Sequence, residues 1–167
     1  PGFGLSGPHF DKKYKIKDYV NLLENFVEKI GVEKFHLVGN SLGGSIAWLY
    51  SSFYDKKVNK LVLINSSGFE LDEVPFVIKI ARNNYLNFLI KKTSPKFLVK
   101  KSLKEVYYDD KLISKSIINR YYKLNLRQGN RQAFIDRALI NFIDYTSRLK
   151  KINSPTLVLW GKNDEWI

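Results

Sequence analysis

Hydrophobic and polar positions alternate between two patterns along the first part of the chain. Between residues 16 and 30 apolar residues recur every three or four positions and Gly31 follows, which is typical of an amphipathic helix. The run FHLVG (35–39) is a candidate for a short buried strand, and residues 42–54 return to helical spacing. A second strand is predicted in VNKLVLINSSG (58–68), which ends in turn residues. This strand–helix–strand order predicts a parallel sheet.

The pattern changes after residue 73. From residue 74 to 147 helical stretches are joined at the turn sequences TSP, YYDD and RQGN, without a convincing strand pattern. The run SPTLVLWG (154–161) then restores a strand. We therefore expect an α/β fold in which residues 74–147 form a helical insertion, and residues 1–73 and 148–167 form the two parts of the sheet core.

A G-x-S-x-G pentapeptide, Gly39-Asn40-Ser41-Leu42-Gly43, lies between the first predicted strand and the following helix. Its glycines permit a sharp strand-to-helix turn that holds the serine in a strained conformation at the carboxyl edge of the sheet. The Ser41 hydroxyl would then be exposed as a nucleophile. The Leu42 N–H, at the amino end of the helix, would donate to an oxyanion. The alternative interpretation is a tight turn with a structural role alone.

Four segments carry a resemblance to a known family. In chain order they are PGFGLS (1–6), HLVGNSLGG (36–44), VNKLVLINSSGF (58–69) and SPTLVLWGKNDEWI (154–167). In order and spacing they resemble the α/β-hydrolase family, in its lipase, esterase and C–C hydrolase group. The resemblance covers nearly the whole chain. It implies a partial parallel sheet, strands five to seven of the family, with residues 74–147 as the inserted cap.

The resemblance also assigns site residues. It implies Ser41 as the nucleophile, Leu42 as one oxyanion donor and Asp164, within GKND, as the triad acid. Some relatives carry the acid after strand six, where this chain has Asn65, so Asp164 is preferred. The other interpretation of Asp164 is a carboxylate that caps its loop. Arg120 lies in the cap where C–C hydrolases of this family carry an arginine for the substrate carboxylate, and a solvated helix surface is its alternative role.

The catalytic base is the part of the triad that the sequence does not provide. His36 lies five residues before Ser41 on the same predicted strand, at about 16 Å. His9 is expected to be a surface histidine. In the family the base follows strand eight, so we expect it on a segment beyond residue 167, with the second oxyanion donor upstream of Pro1. A serine without a base is a poor nucleophile, and isolated strands five to seven expose unpaired edges. We therefore expect the 167-residue fragment alone to be nearly inactive and to aggregate or be molten.

The amino-acid composition excludes several kinds of catalytic and structural site. The absence of cysteine excludes disulfides, thiolate catalysis and zinc-thiolate sites, and two histidines make a metal site improbable. We expect neither a metal nor another cofactor. No apolar run is long enough to span a membrane and no basic-then-apolar leader begins the chain, so a cytoplasmic location is the expectation.

Basic residues are concentrated in the predicted cap. Residues 79–127 contain thirteen Lys and Arg against three acidic residues, which accounts for +10 of the formal net charge of +12. Tyrosines are interleaved with them. The plain interpretation is a solvated lysine-rich helical face. A surface that docks on anionic lipid is the second interpretation, and nucleic-acid binding, which we do not expect, is the third.

Three functions remain open. The first is hydrolysis of a lipid or small carboxylic ester through an acyl-enzyme on Ser41. The second is C–C bond hydrolysis of meta-cleavage-product type with the same triad, distinguished by a substrate-binding arginine. The third is a non-catalytic binding module with the hydrolase fold. The acyl and alcohol groups of the substrate and the oligomeric state are left open.

Overall fold

The computed structural model describes residues 1–70, 73–93 and 95–164, without the side chain of Leu89. It consists of two compact units. The first, the sheet unit, contains the described residues of 15–70 and 142–164. The second, the helical unit, contains those of 1–14 and 73–141. Two parts of the predictions lie outside the described residues. They are residues 165–167, at the end of the segment expected to complete the core, and Ser94, in the predicted turn TSP.

Parallel pairing defines the sheet unit. Its strands are ordered β1 (Phe35–Asn40), β2 (Val58–Ile64) and β3 (Thr156–Leu159), and its helices are α1 (Ile16–Lys29) and α2 (Leu42–Phe53). These bounds confirm the predicted strand–helix–strand order and the parallel sheet. Asn40 is paired with Ile64, and Ile64 with Leu159, so the carboxyl ends of the three strands meet at one edge.

Helix α2 forms the centre of the sheet unit and is buried on nearly every side. Leu49 and Tyr50 have no exposed surface, and they pack in one cluster with Val20 of α1 and Leu61 of β2. A helix that is apolar around most of its circumference is stable only when neighbours cover it. Here α1 and the sheet supply that cover, which holds the amino end of α2 firmly against the end of β1.

A buried carboxylate joins α1 to the far end of α2. The Tyr50 hydroxyl donates to Glu24 Oε2 over 2.7 Å, and Lys57 Nζ lies 2.5 Å from Glu24 Oε1. Burial alone would raise the pKa of Glu24, but the hydrogen bonds from Lys57 and Tyr50 outweigh it and hold that pKa below its ordinary value. Burial, and the hydrogen bond to Glu24, raise the pKa of Tyr50. Both oxygens of Glu24 thus have a donor inside the unit.

The helical unit contains helices and turns in place of a sheet. Its described helices are α3 (Phe76–Arg82), α4 (Asn87–Lys92), α5 (Lys96–Val106), α6 (Lys115–Asn125) and α7 (Asn130–Ala138). Ala81, Ile90, Ile135 and Ala138 form its core cluster. No strand occurs between residues 74 and 147 where the structure is described, as the pattern predicted. No described helix has the length and apolar content that crossing a bilayer requires.

The first fourteen residues are grouped with the helical unit and not with the sheet, where the sequence had placed them. The Asn130 side-chain amide donates to the carbonyl of Gly4 over 2.9 Å. Gly2 has a positive φ of 80°, and a Cβ there would lie 2.9 Å from the ring of Tyr14 and 3.1 Å from the side chain of Arg137. These are contacts between residues far apart in sequence, which local periodicity does not report.

The expectation of a buried strand at FHLVG is wrong in part. Phe35 and Leu37 are half-buried and Gly39 is buried, but His36 and Val38 are exposed. The reason is that β1 is an edge strand of the described sheet and is covered by α2 on one face. Its side chains therefore alternate in burial, as a strand packed on one side does.

Candidate active site

Each of the three strands ends in a candidate polar residue. Ser41 follows β1 directly, Asn65 follows β2, and Asp164 lies five residues after Leu159, the last residue of β3. The Ser41 N–H donates to Ile64 O over 3.0 Å, and the Asn65 N–H donates to Leu159 O over 2.9 Å. The ladder of parallel hydrogen bonds thus extends one residue beyond the strands. It holds the backbones of Ser41 and Asn65 at the same edge of the sheet.

Ser41 has the strained backbone that the pentapeptide predicts. Its φ is 51° and its ψ −121°, a region that residues with a Cβ rarely occupy. Its carbonyl accepts hydrogen bonds from the N–H groups of Ser45, at 3.1 Å, and Ser67, at 3.3 Å. The side chain is half-buried, and its hydroxyl makes no hydrogen bond within the described residues. The surrounding backbone therefore fixes the serine while its Oγ is left available.

The glycines of the turn have unequal steric roles. A Cβ on Gly39 would overlap the backbone of Gly43 and Gly44, so this position requires glycine. A Cβ on Gly43 would meet no described atom within 4 Å. Gly44, outside the pentapeptide, has the second tight contact, since a Cβ there would lie 2.6 Å from the Cβ of Ser66. Of the two motif glycines expected to permit the turn, Gly39 is thus required for steric reasons and Gly43 is not.

The Leu42 amide is placed to donate to an anion beside the serine. Leu42 is the first residue of α2, where the helix offers no carbonyl to accept its N–H. The amino end of the helix carries partial positive charge, which favours negative charge nearby. This is the local arrangement expected for an oxyanion donor.

The turn after β2 is fastened to α2, and the sequence did not predict this attachment. Ser45 Oγ lies 2.5 Å from Ser67 Oγ and 2.6 Å from Ser67 O. The Trp48 indole N–H donates to the same carbonyl over 3.2 Å. Ser45 and Trp48 lie one turn apart and therefore on the same face of α2. Their spacing in the sequence predicts this shared face, but it does not predict that the face contacts the turn after β2.

Asn65 connects the turn after β2 to the acid. Its side-chain N–H donates to Asp164 Oδ2, and its side-chain oxygen accepts the Gly161 N–H at 3.1 Å. The Asp164 N–H donates to Gly161 O over 3.0 Å, which closes the turn that carries the carboxylate. Asn65 itself has a positive φ of 41°. At the position after β2 this chain therefore has an amide that is hydrogen-bonded to Asp164, the candidate acid after the next strand.

The two histidines lie in different units, His36 in the sheet unit with Ser41 and His9 in the helical unit. His36 lies on β1, five residues toward its amino end, which corresponds to about 16 Å along an extended chain. His9 Nδ1 accepts the Asp11 N–H over 3.1 Å, and the His9 ring stacks edge-on against Tyr14 at a centroid distance of 6.5 Å. His9 is thus part of the turn structure of the helical unit.

Arg120 lies on α6 in the helical unit and is exposed. Its guanidinium has no hydrogen-bond or ion-pair partner among the described residues, so it is free to receive an anion. Groups of three or more His, Cys, Asp or Glu that could hold a metal ion are absent from the described part of the chain.

The family of the chain is shown by its similarity to known proteins. All residues, 1–167, match the family model described as alpha/beta hydrolase fold. The chain belongs to this family. A 2-hydroxy-6-oxononadienedioate/2-hydroxy-6-oxononatrienedioate hydrolase from Paraburkholderia phymatum is 28% identical over 175 residues, which cover 100% of this chain and 59% of that protein. The chain therefore spans about three fifths of the length of that relative.

Solved structures share the fold of this chain. The crystal structure of a membrane phospholipase A, described as a bacterial virulence factor, has a TM-score of 0.68 and 28% identity, covering 96% of this α/β hydrolase and 51% of that chain. The meta-cleavage product hydrolase from Pseudomonas fluorescens IP01 has a TM-score of 0.71 and 21% identity, covering 96% and 58%. The latter likeness establishes the fold alone. Within the family, the chain is a hydrolase-fold protein similar to named hydrolases.

Proposed function

We propose that the whole protein is a serine hydrolase that cleaves a carbon–carbon bond beside a ketone, in an anionic 2-hydroxy-6-oxo dienoate. The observation that carries this proposal is Ser41, strained at the carboxyl edge of the sheet next to the Asn65–Asp164 pair. The choice of substrate class rests on the printed function of the relative that aligns with all 167 residues. The ester hydrolysis that the sequence suggested first becomes the second candidate.

The proposed reaction begins at the ketone. Ser41 Oγ attacks the carbonyl carbon and its proton passes to the base, which gives a tetrahedral alkoxide opposite the Leu42 N–H. The alkoxide collapses and breaks the adjacent carbon–carbon bond, whose electron pair enters the conjugated part of the substrate and takes up the proton. The acyl group remains on Ser41. Water then hydrolyses this ester, adding its hydroxyl to the acyl group and returning a proton to Ser41.

Asp164 is proposed to orient the base. The carboxyl ends of β1 and β3 are two strand spacings apart, about 10 Å, which leaves room for an imidazole with a hydrogen bond of about 2.8 Å on each side. A negative carboxylate beside such a ring stabilises its protonated form during the reaction. The base itself is proposed to be a histidine outside these 167 residues, since His36 lies too far along β1.

The charge of the helical unit suits a dianionic substrate. Residues 79–127 carry an excess of ten positive charges. A field of this sign raises the local concentration of anions and the rate at which they associate. Arg120, exposed and without a described ion pair, is the proposed contact for a substrate carboxylate. Its guanidinium offers two parallel donors to such a group.

The test uses the intact protein and a synthetic 2-hydroxy-6-oxo dienedioate, whose conjugated absorption disappears on cleavage. We expect Ser41→Ala to reduce the rate by at least about a thousandfold and to abolish labelling by a fluorophosphonate probe. Ser147→Ala, at an exposed serine of the sheet unit, is the control and should change neither. Cleavage that persists in Ser41→Ala would disprove the serine mechanism.

Ester hydrolysis is the second candidate, because the 28% identical structural neighbour is a membrane phospholipase A. The lysines of the helical unit, with exposed aromatic side chains such as Phe88 and Phe97, would then dock on anionic lipid. Labelling of Ser41 together with turnover of p-nitrophenyl esters, but not of the 2-hydroxy-6-oxo dienedioate, would favour this candidate. Salt-sensitive binding to phosphatidylglycerol vesicles, absent with phosphatidylcholine vesicles, would support the lipid surface.

A further inference from the structure

A partly open cavity lies within the helical unit. It has a volume of about 370 Å³ and is bounded by side chains from all of the helices α3 to α7. This volume falls in the range of sites that hold small organic molecules. It belongs to one compact unit, so its walls do not depend on the position of the sheet unit.

The inner wall of the cavity is apolar. Ile90, Val99 and Leu103 line it and are buried, and Phe134 of α7 also lines it. The Ser102 hydroxyl, which also lines the cavity, donates to Leu98 O over 3.0 Å and so offers little polarity. A cavity of this kind favours an apolar group, since water inside it would find few partners.

The lining of the cavity also contains polar side chains. Arg131 is the charged member of the described lining, and it is half-buried on α7. Its Nη1 donates to Lys92 O over 3.0 Å, and the remaining guanidinium donors have no partner among the described residues. Tyr121 and Asn125, both exposed on α6, add uncharged polar groups to the lining.

From this combination we propose that the cavity binds an anionic amphiphile, a monocarboxylic acid with an unbranched apolar tail. The carboxylate pairs with the free donors of Arg131, and the tail occupies the space between Val99, Leu103 and Phe134. The guanidinium donors that remain beside Lys92 O border apolar walls, and a carboxylate is the anion whose shape fits two of them at once. This proposal does not rest on Ser41 or on the reaction proposed above.

The experiment is calorimetric titration of the intact protein carrying Ser41→Ala, so that catalysis plays no part. Decanoate is the probe, with decan-1-ol lacking the charge and acetate lacking the tail. We expect one decanoate per chain, at least tenfold weaker binding of decan-1-ol, and no saturation by acetate in the same range. Equal binding of decanoate and decan-1-ol, or no decanoate binding, would overturn the proposal.

Variants locate the site. Arg131→Met keeps much of the apolar stem but removes the charge, and should weaken decanoate binding at least tenfold while leaving decan-1-ol binding unchanged. Arg127→Met, at an exposed arginine that does not line the cavity, is the matched control and should bind decanoate normally. Should Arg131→Met fail to fold, Arg131→Lys retains the charge and is expected to weaken binding by a smaller factor. Decanoate affinity that is the same in Arg131 variants and wild type would place the acid elsewhere and disprove the site.

Discussion

The side-chain amide of Asn65 donates a hydrogen bond to the carboxylate of Asp164, a residue 99 positions later in the chain. The same asparagine accepts the Gly161 N–H, so it holds both ends of the turn that carries the acid. The turn after one strand thereby fixes the acid presented after the next strand. This contact makes Asn65 a positioning residue in the proposed mechanism.

The first prediction concerns this contact. Asn65 has a positive φ, so Asn65→Gly removes the amide without straining the backbone. We expect kcat for the 2-hydroxy-6-oxo dienedioate to fall about tenfold to a hundredfold, because a hydrogen bond to a charged group contributes about 1.5–3 kcal/mol. Fluorophosphonate labelling of Ser41 should slow by a similar factor. Asn59→Gly, on β2 and exposed, is the comparison variant, and a loss of the same size there would mean that the effect is not due to the contact with Asp164.

The second prediction separates the two glycines of the pentapeptide. Gly39→Ala should lower the free energy of unfolding by about 3 kcal/mol or more, since its Cβ would overlap the backbone of Gly43. Gly43→Ala adds a methyl group to open space in the first turn of α2, and should change that free energy by no more than about 1 kcal/mol. Denaturant unfolding of the intact protein measures both. Equal destabilisation by the two substitutions would contradict the steric assignment.

The third prediction is a pH dependence of stability that arises from Glu24. Its pKa is lower in the folded protein than in the unfolded chain, because Lys57 and Tyr50 donate to the carboxylate more strongly than burial opposes its charge. The folded state therefore binds this proton less readily than the unfolded chain. The resulting stability is present above the ordinary pKa of a glutamate and is lost as the pH falls through the folded value.

Glu24→Gln tests this assignment. At neutral pH the variant should be less stable by about 1–2 kcal/mol, because an uncharged amide is a weaker partner for Lys57. The difference between variant and wild type should shrink as the solution is acidified below pH 4.5, the ordinary value for this carboxyl. Thermal unfolding across that pH range provides the measurement. A difference that stays constant with pH would assign the lost stability to packing alone.

The fourth prediction concerns the segment that leads into β3. Arg148 donates from Nη2 to Ser52 O over 2.8 Å and from Nε to Ser52 Oγ over 3.1 Å, and its guanidinium lies 3.6 Å from the ring centroid of Phe53. Arg148→Lys keeps the charge but cannot make both hydrogen bonds, so the free energy of unfolding should fall by about 1–2 kcal/mol. Arg127→Lys, at an exposed position, serves as control. An unchanged unfolding curve for Arg148→Lys would show that this attachment does not stabilise the segment.

Local features of the site were predictable, because they depend on residues close in sequence. The strained turn at Ser41 follows from glycine near a strand end and an apolar helix start, and Leu42 takes its position from being first in α2. The role of Asn65 was not predictable, since it depends on pairing β2 with β3 across nearly a hundred residues. The same holds for Ser45 and Trp48, whose common helix face gave no indication of their partner in the turn after β2.

By itself the sequence determined the order of strands and helices, the helical character of most of residues 74–147, and Ser41 and Asp164 as the candidate site residues. These follow from side-chain periodicity and backbone sterics, which act over a few residues. The tertiary structure decided that the first fourteen residues pack with the helices, that Gly39 and not Gly43 must lack a Cβ, and that a cavity with Arg131 in its lining lies inside the helical unit. Each of these depends on which distant surfaces fit together, and close packing selects that fit only once the whole chain has folded.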